Sequence, residues 1–346
     1  CYTDEKYEEN LQQEKNRKRK NLASENVRDF YSQNREYIQK CYSYYEEYKR
    51  CMKNYVNECI DMDIKKLQSE CSDRIILVIT ANPIEEGVLL HGLADAERQA
   101  LDFYTIDGFP YHICKIYGYT IVHGHATSTG EETTRRVINT ITKIITPKVI
   151  VLLGICYGID LSKYKLGDVL IATKLKNYRF NFRDYDDSDQ IILEAEEENL
   201  GVSIEPEVKM QRSLISKLNY RNIYSTIYDE RQNEREVNWK EGMMLSANCL
   251  MSSKTAKEAV LKAFGNVKPK PIGGEMEGGG LLKSRILEDG FGSWMLIKSI
   301  CDWGEKKNLI FNNPEENEMV KDSIQAMAMV HSWSVFYDMI SMKFFE

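Results

Sequence analysis

The sequence predicts an α/β protein: a mixed, largely parallel sheet sandwiched by helices and preceded by an α-helical N-terminal arm. Two observations carry this prediction. Short, apolar, β-branched runs alternate with stretches of helical period throughout the later part of the chain. In addition, all 20 glycines and all 7 prolines come after residue 82. The change of composition near residues 71–74 divides the 346-residue chain into an arm (1–73) and an α/β domain (74–346).

The predicted arm lacks both glycine and proline, and a stretch without these residues favours helix. Apolar and aromatic residues recur there at alternating steps of three and four: Ile38, Cys41, Tyr45, Tyr48, Met52, Tyr55, Cys59 and Met62. This heptad spacing leaves two interpretations open. The segment is either a coiled coil that pairs protomers or docks a protein partner, or a helix whose tyrosine-rich face packs on its own domain. The basic run 15–20 is flanked by acidic residues, which favours a solvated helix face, with a contact to phosphates or anionic lipid as the alternative.

The α/β domain shows its elements in alternation. Strands are predicted at 74–80, 119–123, 149–153, 165–172 (a turn followed by a strand), 242–246 and 294–300. Helices are predicted at 129–145, 252–264, 278–288 and 316–342. The polar, acidic stretch 184–240 predicts a solvated loop, with a lid as the alternative.

Composition excludes several classes of protein. A net charge of −7 gives no general basic field for nucleic acid. No run of 18 apolar residues is present, which predicts no membrane span. The 9 cysteines include no C-x-x-C pair, which argues against a disulfide framework or a zinc knuckle. Without a secretory signal, a cytoplasmic protein is expected; the chain starts at Cys1 and is compatible with an upstream extension.

Four short pieces follow predicted strands, where ligands bind in such sheets. They are TANPIEE (80–86), GICYG (154–158), GGEMEGGG (273–280) and KSICDWG (298–304). Glu85 either faces the ligand crevice or caps a helix N-terminus. The glycines of the second piece predict a tight turn that lets the backbone approach a ligand. Glu275 and Glu277 point the same way only if their segment is extended.

Together these pieces resemble the purine nucleoside phosphorylase/nucleosidase superfamily, and the pattern is closest to methylthioadenosine/adenosylhomocysteine nucleosidases. The matching order is A-x-P-x-E, G-x-x-x-G, L-G-D-V, E-M-E-G and K-x-I-x-D. The resemblance covers residues 74–343 and does not include the arm.

The resemblance implies roles for the matching residues. Glu85 would activate the attacking water, and Asp302 would assist the leaving purine at its N7. Glu277 would bind the ribose hydroxyls, with Met276 against the sugar. The remaining substrate-binding residues expected from the resemblance are Glu275, Gly154, Cys156, Gly158, Leu250 and Met251. Leu250 stands where this superfamily often stacks an aromatic ring on the base.

The implied reaction is hydrolysis of the N-glycosidic bond of a purine, expected to be adenine, nucleoside or nucleotide. Phosphorylases of the superfamily commonly carry an Arg and a Ser to bind phosphate, where this chain has the apolar Leu152 and Ile155. This difference favours hydrolysis, and phosphorolysis is the alternative. A nucleoside-binding sensor without turnover is a second alternative. Four arginines are either surface charges or contacts to a 5′-phosphate: Arg135, Arg136, Arg179 and Arg183.

The remaining expectations concern partners. The reaction needs no cofactor and no metal, and His123-Gly124-His125 lacks the Cys/His spacing of a zinc site. These two histidines are expected to be strand-end residues near the sugar pocket and not metal ligands. The resemblance implies a homo-oligomer. Separately, the heptad spacing leaves open a protein partner that docks on the N-terminal helix. Some relatives with added N-terminal regions look like bacterial defence effectors, which suggests a regulated defence role.

Overall fold

The computed structural model describes residues 23–58, 74–185, 191–208, 227–228, 234–235, 237–305 and 313–346. Its strands are β1 Ile75–Thr80, β2 Asp102–Ile106, β3 Phe109–Ile116, β4 Tyr119–His125, β5 Val149–Gly158, β6 Val169–Tyr185, β7 Ile191–Glu197, β8 Ile227–Tyr228, β9 Glu234–Arg235, β10 Trp239–Ser246, β11 Pro271–Glu275 and β12 Trp294–Asp302. Ten of them form one mixed sheet in the order β11-β10-β6-β12-β5-β1-β4-β3-β2, with β7 paired to β6. Strands β8 and β9 form a separate pair.

The helices are α1 (residues 23–33), α2 Arg35–Arg50, α3 Pro83–Glu97, α4 Glu131–Ile141, α5 Lys254–Phe264, α6 Gly278–Leu282, α7 Arg285–Glu288 and α8 Pro314–Ser341. Helices α2, α3 and α8 contact one another, and α8 also packs on β5 and β12. Helix α4 packs with α6. The predicted class, a mixed α/β sheet with packed helices, is confirmed.

Strand β1 (Ile75–Thr80) lies near the middle of the sheet, and this position explains why the strand is almost entirely apolar. It pairs in parallel with both β4 and β5, and all six of its residues are buried. A strand covered on both faces needs apolar residues without alternation. The chain then leaves β1 directly into α3, where Pro83 occupies the first turn and Asn82 caps the helix.

The turn expected at 154–158 is wrong, because strand β5 continues through these residues. The five residues lie inside the strand, which runs from Val149 to Gly158. The reason is tertiary: the end of β5 pairs with β12 and also, in the antiparallel sense, with β11. These two pairings keep the chain extended and curl the sheet back on itself. Glycine is needed at Gly274, because a Cβ there would overlap the Tyr157 hydroxyl.

Two further predictions were wrong in part. The expected helix 278–288 is two short helices, because Ser284 adopts an extended backbone and starts the second one. The acidic stretch 184–240 is not wholly irregular: β6 continues to Tyr185 and pairs with β7. The hairpin β2–β3 at the edge of the sheet was not predicted at all. Residues 186–190, 209–226, 229–233 and 236 lie outside the described residues.

The N-terminal helices pack on the rest of the chain. Ile38 and Cys41 on α2 are buried in the main hydrophobic core. The Tyr37 hydroxyl lies 3.0 Å from Nε2 of His331 on α8. Helix α2 ends at Arg50, and Met52 is 51% exposed, so the heptad seam does not continue through it. Over these residues the contacts agree with packing on the chain's own domain; residues 1–22 and 59–73, with Cys59 and Met62, lie outside the described residues.

No helix within the described ranges is both long enough and apolar enough to cross a membrane.

Candidate active site

Glu85 sits in the first turn of α3, where β1 ends. One carboxylate oxygen, Oε2, accepts the backbone N–H groups of Ala81 at 2.7 Å and Asn82 at 3.3 Å. The other, Oε1, accepts the Ile155 N–H of β5 at 2.8 Å. Glu85 therefore caps the helix, as one sequence interpretation had it, and also contacts β5. That it faces a ligand crevice stays a prediction. Burial raises the pKa of Glu85; Lys298 lowers it and Glu277 raises it further.

Lys298 is the centre of the site, although sequence analysis gave it no role. It lies on β12, and its side chain is only 1% exposed. Its Nζ lies 3.0 Å from Oε2 of Glu277 and 4.0 Å from Oε2 of Glu275. Burial by itself lowers the pKa of Lys298, but the charges of Glu277, Glu85 and Glu275 raise it above the ordinary value. A single buried cation therefore faces three buried carboxyl groups.

Glu275 and Glu277 follow one another at the turn from β11 into α6. The Glu275 carboxylate accepts the backbone N–H groups of Glu277 and Gly278 at 2.9 and 3.0 Å. Burial, together with the charge of Glu277, raises the pKa of Glu275 to about 8. These hydrogen bonds give Glu275 a role in shaping the turn, and its assignment as a substrate contact stays a prediction. Met276, between the two, is partly exposed.

Gly154 lies opposite Lys298 in the pairing of β5 with β12. A Cβ at this position would overlap the Glu85 carboxylate and crowd Lys298 Nζ. The glycine is therefore required for the close approach of Glu85 to β5. A Cβ at Gly158 would likewise overlap the Trp303 ring. The Cys156 carbonyl accepts a hydrogen bond from the Cys301 thiol at 3.4 Å. Contacts of these three residues with a sugar stay predictions.

Asp302 is the last residue of β12, four positions after Lys298. Its Oδ1 accepts the Gly304 N–H at 2.6 Å and its Oδ2 the Cys301 thiol at 3.3 Å. The side chain is partly buried, beside a cavity of about 20 Å³ that also contacts Ala23 and Val27 of α1. The neighbouring Trp303 donates its indole N–H to Asn26 of the same helix at 2.9 Å. The N-terminal helix therefore lies against the segment that carries Asp302.

The two residues expected to contact the base, Leu250 and Met251, differ in exposure. Leu250 is 60% exposed, whereas Met251 is buried. Both assignments as substrate contacts stay predictions.

The arginines have surface roles where they are described. Arg135 binds Glu132 at 2.8 Å, Arg179 approaches Glu196 at 3.3 Å, and both pairs are exposed. Arg136 lies over the Phe109 ring at 5.3 Å. The side chain of Arg183 lies outside the described part of the chain. A contact between any of them and a 5′-phosphate stays a prediction.

Comparisons with known proteins concern the whole chain and its fold. No protein-family model matches the chain. A death domain-containing ATP nucleosidase from Amphimedon queenslandica is 25% identical over 250 residues, covering 69% of this chain and 45% of that protein. The chain thus spans about half the length of the curated relative it matches.

Solved structures show the same fold. A 5′-methylthioadenosine/S-adenosylhomocysteine nucleosidase from Helicobacter pylori superposes with a TM-score of 0.55 at 15% identity, covering 78% of this chain and 98% of that one. The corresponding nucleosidase from Neisseria meningitidis gives 0.53 at 14% identity, with coverage of 78% and 99%. Futalosine hydrolase from Helicobacter pylori gives 0.52 at 15% identity, with coverage of 78% and 98%. The resemblance to the nucleoside phosphorylase/nucleosidase superfamily is confirmed.

Proposed function

We propose that this chain is a hydrolase that cleaves the N-glycosidic bond of purine nucleosides or nucleotides and releases the free base. One observation carries the proposal. The buried cluster Glu85–Lys298–Glu277 lies beside a strand whose last residue is a further carboxylate, Asp302. The fold shared with nucleosidases supports it.

The reaction needs a base for the water and an acid for the departing purine. As the ribose–nitrogen bond breaks, positive charge grows on the sugar ring and negative charge on the base. Burial raises the pKa of Glu85, which makes it a stronger base than an exposed carboxylate, and Glu85 would take a proton from the attacking water. Asp302 would give a proton to N7 of the departing purine. The two groups act on opposite sides of the sugar, as in inverting glycoside hydrolysis.

Glu277 would orient the substrate. Its carboxylate is anchored at one oxygen by Lys298, which leaves the other available to accept the ribose hydroxyls. Holding the sugar fixed between the water and the base removes much of the entropic cost of bringing the reactants together. Met276 would lie against the sugar ring.

The charge of the site favours water over phosphate as the nucleophile. Among the described residues that form the cluster, Lys298 is the one cation, and its Nζ is engaged by Glu277. The carboxyl groups that surround this one ammonium group offset its positive charge, so the cluster offers little attraction for a phosphate dianion. Leu152 and Ile155, at the positions where phosphorylases carry polar residues, add no cation. We therefore place phosphorolysis second.

Adenine nucleotides are the first substrates to test, because the curated relative is named an ATP nucleosidase. The protein is incubated with adenosine, methylthioadenosine, inosine, AMP and ATP, each with and without phosphate, and the bases are separated by chromatography. We expect adenine from an adenosine derivative at the same rate in both buffers. Release that depends on phosphate would identify a phosphorylase, and no base from any substrate would refute the proposal.

We further infer that the N-terminal helices control the site, as a regulated defence effector would require. The contact of α1 with Trp303, next to Asp302, supports this. Assembly as a homo-oligomer is proposed from the resemblance. Mass measurement in solution tests it, and a monomer at micromolar concentration would contradict it.

A further inference from the structure

A second buried cluster lies where β3, β4 and α3 meet. The antiparallel register of β3 and β4 places His112 directly opposite His123. Their rings stack with centroids 5.3 Å apart, and the two Nδ1 atoms lie 3.2 Å from each other. Both residues are buried. Two imidazole nitrogens therefore point at one another in a region shielded from water.

This separation matches a pair of metal ligands. Zinc–nitrogen bonds are about 2.0–2.1 Å long, and at a tetrahedral angle two such ligands lie roughly 3.3–3.4 Å apart. The 3.2 Å between His112 Nδ1 and His123 Nδ1 is close to that value.

Glu86 supplies a third donor. One of its carboxylate oxygens and one nitrogen of each ring all lie within 4.8 Å of one another. The side chain is 17% exposed, and its ion-pair neighbour within the described residues is Nε2 of His125, at 4.0 Å. A small rotation of Glu86 would bring it to bonding distance of an ion between the two rings. Its partial exposure also gives the ion a route to the site.

The surroundings orient the histidines as a ligand set requires. Thr80 Oγ1 lies 2.8 Å from Nε2 of His123, on the side of the ring away from His112. If that nitrogen carries the proton, the lone pair of Nδ1 faces the proposed ion. Metal-binding histidines are usually held in this way by a hydrogen bond at the other nitrogen.

We propose that His112, His123 and Glu86 bind a Zn²⁺-type divalent transition-metal ion, with an open position next to His125. Two imidazoles and one carboxylate are ligands that such ions favour. This reverses the sequence expectation of no metal, which considered only His123 and His125. Because Glu86 follows Glu85 in the first turn of α3, the ion would hold that turn in place. The proposal is separate from the proposed hydrolysis, which needs no metal.

The test measures metal binding and not turnover. The full chain is stripped with a chelator and titrated with Co²⁺, whose visible absorption bands report tetrahedral coordination by nitrogen and oxygen; Zn²⁺ is then added in competition. We expect one ion per chain. Glu86→Gln keeps size and polarity and should weaken metal binding at least about 100-fold. Mutating even a residue that only hydrogen-bonds to a metal ligand lowers metal affinity about 10- to 100-fold.

His91→Gln is the matched control, since His91 is partly buried on the same helix but contacts Glu47 and Tyr44 of α2. It should bind the ion like the unmodified chain. His112→Gln should lose the Co²⁺ bands while unfolding cooperatively. Binding of less than about one tenth of an ion per chain, or equal binding by all three variants, would overturn the proposal and leave His112–His123–Thr80 as a hydrogen-bond chain only.

Discussion

Replacing Lys298 by methionine tests whether one buried cation holds the site together. Methionine has similar length and no charge, so the change removes the ammonium group with little change of volume. Charges 3.0 Å apart, as Nζ and Glu277 Oε2 are, attract by about 5 kcal/mol at an effective dielectric constant of about 20. Part of this attraction offsets the free-energy cost of burying the two charges. Removing one partner of such a buried pair destabilises the fold by about 3–5 kcal/mol.

The stability lost in Lys298→Met should depend on pH, because neighbouring carboxyl groups change their protonation. Lys298 lowers the pKa of both Glu85 and Glu275, which burial raises above 4.5. Without the lysine both carboxyls hold their protons to still higher pH in the folded state. A folded state that binds more protons than the unfolded chain loses stability as pH rises. Lys298→Met should therefore cost about 3–5 kcal/mol at pH 8 and distinctly less at pH 5.

The assay is urea unfolding followed by circular dichroism at pH 5 and pH 8. Lys343→Met is the control, because Lys343 forms an exposed pair with Glu346 at 3.2 Å. It should change the free energy of unfolding by less than about 0.5 kcal/mol. The double variant Lys298→Met/Glu277→Gln should recover part of the loss. A loss below about 1 kcal/mol that is equal at both pH values would refute the reasoning.

Three further changes test other parts of the molecule. Asp302→Asn should lower kcat by about 10²–10⁴ without changing urea unfolding, since it removes the proton donor; Asp160→Asn, at an exposed turn, should keep wild-type kcat. Gly154→Ala should lower kcat by about 10² because the new Cβ displaces Glu85; wild-type kcat would contradict the proposed position of that carboxylate. Burial raises the pKa of Asp338 to about 6 and leaves its Oδ2 without a hydrogen bond among the described residues, so the folded state keeps a proton that the unfolded chain releases near 3.8. The contribution of Asp338 to stability should fall between pH 4 and 6 by on the order of 1 kcal/mol, after allowance for partial exposure. Asp338→Asn should remove that share of the pH slope in unfolding measurements.

Local patterns predicted much of the fold. The apolar run 75–80 identified the central strand, because a strand buried on both faces has no polar alternation. Asn82 and Pro83 mark the start of α3 through capping that depends on four neighbouring residues only. The hairpin β2–β3 was missed because it lies at the edge of the sheet, where mixed burial gives a weak pattern.

The candidate site was predicted as separate pieces and assembled only by the fold. The motifs identified Glu85, Glu277 and Asp302, but nothing in their spacing tells that Lys298 joins the first two. A lysine inside an apolar strand, as in 294–300, was the available signal, since an unpaired charge is too costly to bury. The heptad spacing left two interpretations open for a similar reason. Helical period shows that a face is buried but not which surface covers it.

The sequence by itself determined the central strand, the capped start of α3, and that carboxylates lie at strand ends. These properties depend on neighbours a few residues away. Tertiary structure decided that Glu85, Lys298 and Glu277 meet, that α2 packs on α8, and that His112 faces His123. Each of these contacts joins residues distant in sequence through strand register or helix packing. The energy that selects them comes from burying the whole core, which no local pattern contains.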